Sequence, residues 1–352
     1  MKLYITNFGI NSKINNYVEY ITNEIPKYSN HKIVKTIEEA DIIFVEYLYN
    51  SWDKDFVFCP CETYNKPIVI FDLFEFETVS NKSHFLAFNT DPVHYTNISE
   101  YTKLDNWLKT KISQIKMYFK REFLINDNKP PIPTYPTEYC VCEEYYFRPI
   151  CYEPSTYEEF CNRMFNVSFI FSPSNKSRLL ICGEMIKTLL LQNGFNPYKL
   201  CIDENITKCK EFKETEGKGI LLLFKPNFFK LDCFTTHSFY KQSKISLSIW
   251  GVGRKCIRDS ELSFSSVMAL QQSNQYYSYP WIDNENCIIL PNKEICNYEI
   301  DEKESIEKIV YYLQQPKKLY DIYLNGIENS KKYRVDNYLI NYIIPKLEEI
   351  DL

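Results

Sequence analysis

Short apolar runs separated by amphipathic stretches set the strongest limit on how this chain folds. Lys2 to Thr6, Asp41 to Tyr47 (DIIFVEY), Pro67 to Asp72 (PIVIFD) and His84 to Phe88 (HFLAF) have the length and the β-branched or aromatic content of buried strands. Between the first two, Ile14, Tyr17, Val18 and Ile21 recur at helical spacing. Strand, helix, strand in that order implies a parallel sheet with covered faces. The alternation restarts at Val167 to Phe171 (VSFIF) and runs through strands at Gly219 to Phe224 (GILLLF) and Lys244 to Trp250 (KISLSIW). A helix is predicted over about Asn175 to Gln192, where Leu179, Cys182, Met185, Ile186, Leu189 and Leu190 form one face and Asn193-Gly194 supplies a stop. The 352 residues are too many for one typical domain and suit two of roughly 150 each. The reading is α/β, with one domain over 1–150, a second over 151–335 and a helical tail over 336–352.

The dense proline cluster Pro130-Pro131-Ile132-Pro133, followed by Tyr135-Pro136, is the expected linker, because proline removes donors and fixes an extended path. Three helices are expected near the end. Ile306, Ile309, Val310 and Leu313 mark the first, which stops near Pro316; Leu319, Ile322 and Tyr323 mark the second. Tyr338, Leu339, Tyr342 and Ile343, after a cap at Asp336, mark the third.

Charge and cysteine usage remove several classes of function. A net charge of -5 gives no long-range attraction to nucleic acid. No apolar run approaches the roughly 20 residues of a membrane span, and Met1 to Thr6 lacks the run of a signal peptide. The 13 cysteines are odd in number and scattered, which fits a reduced compartment, and the cytoplasm is the expected location. Cys59-Pro60-Cys61 and Cys140-Val141-Cys142 are spaced more tightly than zinc-ligand pairs.

In open parallel sheets, ligands collect at the carboxyl ends of the strands. The loop Ser172-Pro173-Ser174-Asn175-Lys176-Ser177-Arg178 follows one such strand, and its hydroxyls, free N–H groups and cations Lys176 and Arg178 can converge on a phosphate. An ordinary helix cap with solvated charges would read the same way. The loop after KISLSIW says more. Only 8 glycines occur in the chain, and two of them, Gly251 and Gly253, stand directly after a strand. Glycine permits close approach of backbone to ligand. Arg254, Lys255 and Arg258 can neutralise a diphosphate, while Glu261 can pair with Arg258 or accept bonds from ribose hydroxyls. Leu262, Val267 and Leu270 then suggest a helix.

The stretch Lys244 to Glu261 (KISLSIWGVGRKCIRDSE), with Tyr277 to Pro291, Glu304 to Pro316 and Leu319 to Lys331, resembles the donor half of GT-B glycosyltransferases. It is similar to exostosin-like and bacterial or viral polysaccharide transferases, in which a strand and a small-residue turn precede Arg and Glu on a helix. The resemblance covers roughly 167–350 and extends to the first half by strand order. It departs from the retaining subgroup, whose second Glu has its counterpart at Ala269, and it places Trp250, Gln271 and Gln272 where small residues are usual.

The resemblance implies two Rossmann-like domains facing a cleft, with the last helix crossing back to the first domain. It implies a nucleotide-sugar donor, UDP- or GDP-linked, held by Ser172, Lys176, Arg178, Gly251, Gly253, Arg254, Arg258 and Glu261. A glycan or glycoprotein acceptor is implied, and the cytoplasm includes that of a virus-infected host cell. An inverting reaction needs a base from the first domain. Asp72 is the choice, because it ends a buried strand directly, ahead of Glu75, Glu77, Asp91 and His94. No Asp-x-Asp pair stands in a suitable loop, so no essential metal is expected. A non-catalytic protein that binds a glycan or partner on the same scaffold is the alternative, and a sugar-phosphate or nucleotide enzyme on a similar double-sheet scaffold is a third.

Overall fold

The computed structural model describes residues 1–8, 16–47, 65–72, 111, 113–121, 132–138, 140, 153–171, 197–201, 219–224, 233–250, 255, 259, 262–273, 276–294 and 296–351. The chain divides into two compact units. One contains Met1–Glu138, Asn274–Ser278 and Val335–Leu352; the other contains Tyr139–Ser273 and Tyr279–Arg334.

The first unit is built on a parallel sheet of β1 (Lys2–Phe8), β2 (Lys32–Ile33), β3 (Ile42–Tyr47), β4 (Ile68–Asp72), β5 (Ile115–Lys120) and β6 (Thr134–Pro136), in the order β2-β1-β3-β4-β5-β6. Ile42 to Val45 and Ile68 to Phe71 are buried without a break, as expected of strands covered on both faces. Helix α1 (Asn16–Tyr28) follows β1 and buries Ile21 and Ile25 one turn apart. Phe71 lies 5.9 Å from Phe44 and 5.2 Å from Phe119, ring centre to ring centre, across adjacent strands.

The proline cluster departs from expectation. Thr134–Pro136 is an edge strand of this sheet rather than part of a linker, and proline is tolerated there because an edge leaves one side of the backbone unpaired. Its neighbour β5 ends at Lys120, and Lys120 and the Arg121 that follows it are both buried despite their charge.

The second unit has its own six-stranded parallel sheet: β7 (Phe165–Phe171), β8 (Pro197–Cys201), β9 (Gly219–Phe224), β10 (Ser243–Ser248), β11 (Val267–Gln271) and β12 (Ile288–Leu290). The order is β12-β11-β10-β7-β9-β8, so strand order reverses at β7, between β10 and β9. The helical reading holds at Leu262, which stands in a helical turn, and is corrected at Val267 and Leu270: Val267–Gln271 is a strand. Every residue of β11 is buried, and a strand covered on both faces carries no period of two to distinguish it from a short helix. Ala269 lies within it, not on a helix.

Helix α2 (Tyr157–Cys161) opens on a capping box between Thr156 and Glu159, α3 (Cys233–Lys241) leads into β10, and a short antiparallel pair β13 (Asn292–Lys293) and β14 (Cys296–Ile300) follows β12. Asp301 then caps α4 (Glu302–Leu313), accepting from Glu304 N at 2.9 Å. Pro316 opens α5 (Pro316–Lys331), as suits a first-turn position whose N–H has no partner within the helix. Leu319, Ile322, Tyr323 and Ile327 form its buried stripe, which joins Ile245, Leu247 and Ile249 of the β10 segment in one core. Gly326 faces Asn286, where an added Cβ would lie 2.9 Å from the carbonyl oxygen.

The tail belongs to the first unit. It runs through α6 (Val335–Tyr338), a π-helical turn at Leu339–Ile343 and α7 (Ile344–Glu348). Asp336 is inside the first turn rather than capping it, and its Oδ1 accepts from Asn337 N at 2.9 Å. Tyr342 donates to Pro136 O at 2.7 Å, which ties the tail to β6. Tyr338, buried completely, places its hydroxyl 3.1 Å from Thr137 Oγ1 and 2.8 Å from Ser278 Oγ. Ser278 in turn donates through N to Glu138 Oε1 at 3.0 Å and through Oγ to Glu138 Oε2. Among the described residues no helix is long and apolar enough to cross a membrane.

Candidate active site at the carboxyl edge of the second sheet

Strand β10 has two chemically different faces. Ile245 and Leu247 point into the apolar core, while Ser246 and Ser248 alternate with them, also buried. A buried hydroxyl is destabilising unless bonded, and these are bonded. Ser246 Oγ lies 2.6 Å from Ser168 Oγ of β7, and Ser266 donates to it at 2.7 Å. One step closer to the carboxyl edge, Ser248 donates through Oγ to the carboxylate of Asp259, which is 6% exposed. The chain therefore leaves β10 at Ser248 and is gripped again at Asp259.

Trp250, two residues past β10, is fixed at main chain and ring. Its N–H donates to Gln271 Oε1 at 3.3 Å, and its indole Nε1 donates to the Gln271 main-chain oxygen at 3.2 Å. Gln271 Nε2 donates to Asn292 Oδ1 at 3.0 Å, and Asn292 Nδ2 donates to Gln272 O at 3.1 Å. The bulky Trp250, Gln271 and Gln272 thus form a hydrogen-bonded edge across the ends of β10 and β11 and the start of β13. Lys255, one of the expected diphosphate cations, is 3% exposed. It is a buried charge, not a solvated one.

The opposite, amino edge of the sheet holds a second basic group with a different purpose. Arg163 donates through Nη1 to Ser243 O and Ser265 O, both at 2.7 Å, and through Nη2 to Ser155 Oγ at 3.0 Å. Its guanidinium lies 4.7 Å from the Phe160 ring centre and 4.6 Å from that of Tyr323. Burial lowers its pKa, with opposing contributions from Tyr323, Glu159 and Tyr320. All of its contacts tie strand starts to α2 and α5, a structural role. Nearby, His237 Nδ1 is 3.1 Å from Ser265 Oγ, and burial, then the charge of Lys241, pushes its pKa down to about 4.

Of the residues expected at a donor site, Ser172, Lys176, Arg178, Gly251, Gly253, Arg254, Arg258 and Glu261 lie outside the described residues. So do the helix expected over 175–192 and the strand expected over 84–88. The backbone of Asp72 is described, as the last residue of β4 in register with Tyr47 and Lys120; its side chain is not. The described strands do fix where both expected loops begin. β7 ends at Phe171 and β10 at Ser248, and the two are neighbours at the point where strand order reverses. These two strand ends therefore lie side by side on one edge, the place where open parallel sheets take ligands. The sequence reading missed the anchoring roles of Ser248, Asp259, Gln271 and Asn292. The alternation Ile-Ser-Leu-Ser-Ile in β10 is the signal that could have revealed the first.

No protein-family model and no curated protein matches the chain. Solved structures do match it. An apo structure of OtsA is 11% identical at a TM-score of 0.50, over 97% of this chain and 78% of that one. A trehalose-6-phosphate structure from E. coli bound with UDP-2-fluoro glucose is 11% identical at a TM-score of 0.50, over 96% of this chain and 78% of that one. A structure of the trehalose-6-phosphate synthase OtsA is 10% identical at the same TM-score, over 96% of this chain and 77% of that one. The likeness spans both parallel sheets, and the chain has the GT-B glycosyltransferase fold.

Proposed function

We propose that the chain is a glycosyltransferase that holds a UDP- or GDP-linked sugar at the carboxyl edge of the second sheet and passes the sugar to a glycan or glycoprotein hydroxyl. The supporting observation is topological: the ends of β7 and β10 are adjacent at the reversal of strand order, and in the sequence each is followed by a stretch bearing cations. A nucleotide-sugar donor is also supported by the similar E. coli structure bound with UDP-2-fluoro glucose. In this reading Ser172, Lys176, Arg178, Arg254 and Arg258 take the diphosphate, Gly251 and Gly253 let the backbone approach it, and Glu261 accepts from the ribose.

Transfer breaks the bond between the sugar and the diphosphate, and fixed cations stabilise the departing charge without a metal ion. The acceptor hydroxyl loses its proton to a carboxylate, for which Asp72 is the assignment. A panel of UDP- and GDP-sugars, scored by thermal shift and by release of free nucleotide, tests the reading. Arg258→Ala should weaken nucleotide binding by about 1–3 kcal/mol, the range of a charge-assisted hydrogen bond. Unchanged affinity in a folded Arg258→Ala protein removes the assignment.

A further inference from the structure

β6 is an edge strand, and an edge leaves backbone groups unpaired unless something covers them. The tail does so. Tyr342 donates to Pro136 O at 2.7 Å, and on the next turn the ammonium of Lys346 stands 3.8 Å from the centre of the Tyr342 ring and 5.1 Å from that of Tyr135 in β6. Hydroxyl bonds hold both rings in place, Tyr342 on the Pro136 carbonyl and Tyr135 on Glu349 Oε2 at 3.4 Å. Each ring also ends a row. Phe44, Phe71, Phe119 and Tyr135 follow one another across β3 to β6 with centres 5.2–5.9 Å apart, and Tyr338 lies 5.1 Å from Tyr342 on the tail. The ammonium sits where the two rows meet.

A lysine normally keeps its head group in water. Here the side chain is half-buried, and burial lowers its pKa, with Glu349 opposing. The Glu349 carboxylate meets the Tyr135 hydroxyl instead, and none of the ion pairs among the described residues includes Lys346. Ring faces therefore compensate this charge. An apolar side chain would fill the same place without desolvating an ammonium. We propose that Lys346 is a charge-dependent latch: its ammonium, held between Tyr342 and Tyr135, fastens the tail over the edge of β6, and neutralising the amine frees the tail while the sheet stays folded. Opening takes the Tyr342 hydroxyl from Pro136 O, which keeps only its bond from Ser278 Oγ at 3.1 Å, and uncovers the edge.

Hydrogen exchange on the whole chain tests this, with the amides of Leu339 to Leu347 read against those of Ile42 to Val45 in β3. Lys346→Met keeps an unbranched side chain and removes the charge. It should lower protection of the tail about fivefold, as suits the loss of a partly desolvated cation–π contact, and leave β3 unchanged. Nε-acetyl-lysine introduced at position 346, neutral but nearly the same in its stem, should do the same. Lys346→Arg keeps a cation that stacks on rings and should stay within about twofold of the parent. Unchanged tail protection in the two neutral proteins, or as large a loss with Arg as with Met, would show that the charge does not hold the tail. An equal loss in β3 would show that tail and sheet open as one, and it would overturn the latch as well.

Discussion

Gly326→Ala sets two known effects against each other inside one helix. Alanine is the better helix former by about 1 kcal/mol at an interior position of α5. The added methyl, however, would stand 2.9 Å from the carbonyl oxygen of Asn286, well inside ordinary carbon–oxygen contact. That oxygen cannot easily retreat. Its turn is held by Ile282 N to Asn286 Oδ1 at 2.7 Å, Ile289 N to Asp283 Oδ1 at 2.7 Å, and Asn325 Nδ2 to Glu285 O at 3.0 Å. Nor can α5 lift off freely, since Ile322, Tyr323 and Ile327 are in the core beneath it. Overpacking of this kind costs about 1–3 kcal/mol, so the net result should be a loss of about 1 kcal/mol despite the better propensity. Urea unfolding, followed by the fluorine signal of 5-fluorotryptophan at Trp281 to isolate the second unit, measures it. Lys317→Ala in the same helix serves as the control. A Gly326→Ala protein as stable as the parent, or more so, would show that the contact relaxes at no cost and refute the reasoning.

Tyr338→Phe removes a buried hydroxyl bonded near Thr137, Ser278 and Glu138 and should cost about 1–3 kcal/mol in the stability of the first unit, read by chemical denaturation; a neutral result would mean that these partners satisfy one another. His237 stays neutral in the fold down to about pH 4, while the unfolded side chain gains its proton near 6.5. Stability should therefore fall by up to about 3 kcal/mol as pH drops from 6.5 to 4, and His237→Asn should flatten that slope in pH-dependent melting; an unchanged slope would place the titration elsewhere. Transfer should persist in EDTA, scored by nucleotide release, and a complete loss restored by manganese or magnesium would show that a metal does the work assigned to the cations.

Much of the layered architecture is legible because buried parallel strands leave compact apolar runs. DIIFVEY, PIVIFD and GILLLF each coincide with a strand to within a residue or two. The same full burial hides VMALQ, where nothing in the spacing separates strand from helix. β5 and β6 escape for the opposite reason: Lys120 and the prolines around β6 carry the local signature of surface or linker, and only their neighbours in the sheet make them strands. At the candidate site, glycine scarcity points to the Gly251 turn from sequence alone. The hydrogen bonds at the ends of β10 and β11 are invisible there, because Gln271 and Asn292 lie 21 positions apart and Ser248 and Asp259 are 11 apart. A polar residue at a strand end reads as solvated until its distant partner is known.

The division of the chain also sets an order of synthesis and folding. The second unit draws on 139–334 with one brief interruption, so its sheet can assemble as soon as that stretch has left the ribosome. The first unit begins at residue 1 but takes its last element from 335 onward, with Tyr338 and Tyr342 closing against 136–138. The contacts of Tyr338 and Tyr342 on 136–138 can therefore form only after the second unit has been made. Domains normally fold in the order in which they emerge. Here the amino-terminal unit finishes last, so a chain cut before 335 would lack the Tyr338 and Tyr342 contacts on 136–138 while retaining every segment of the second unit.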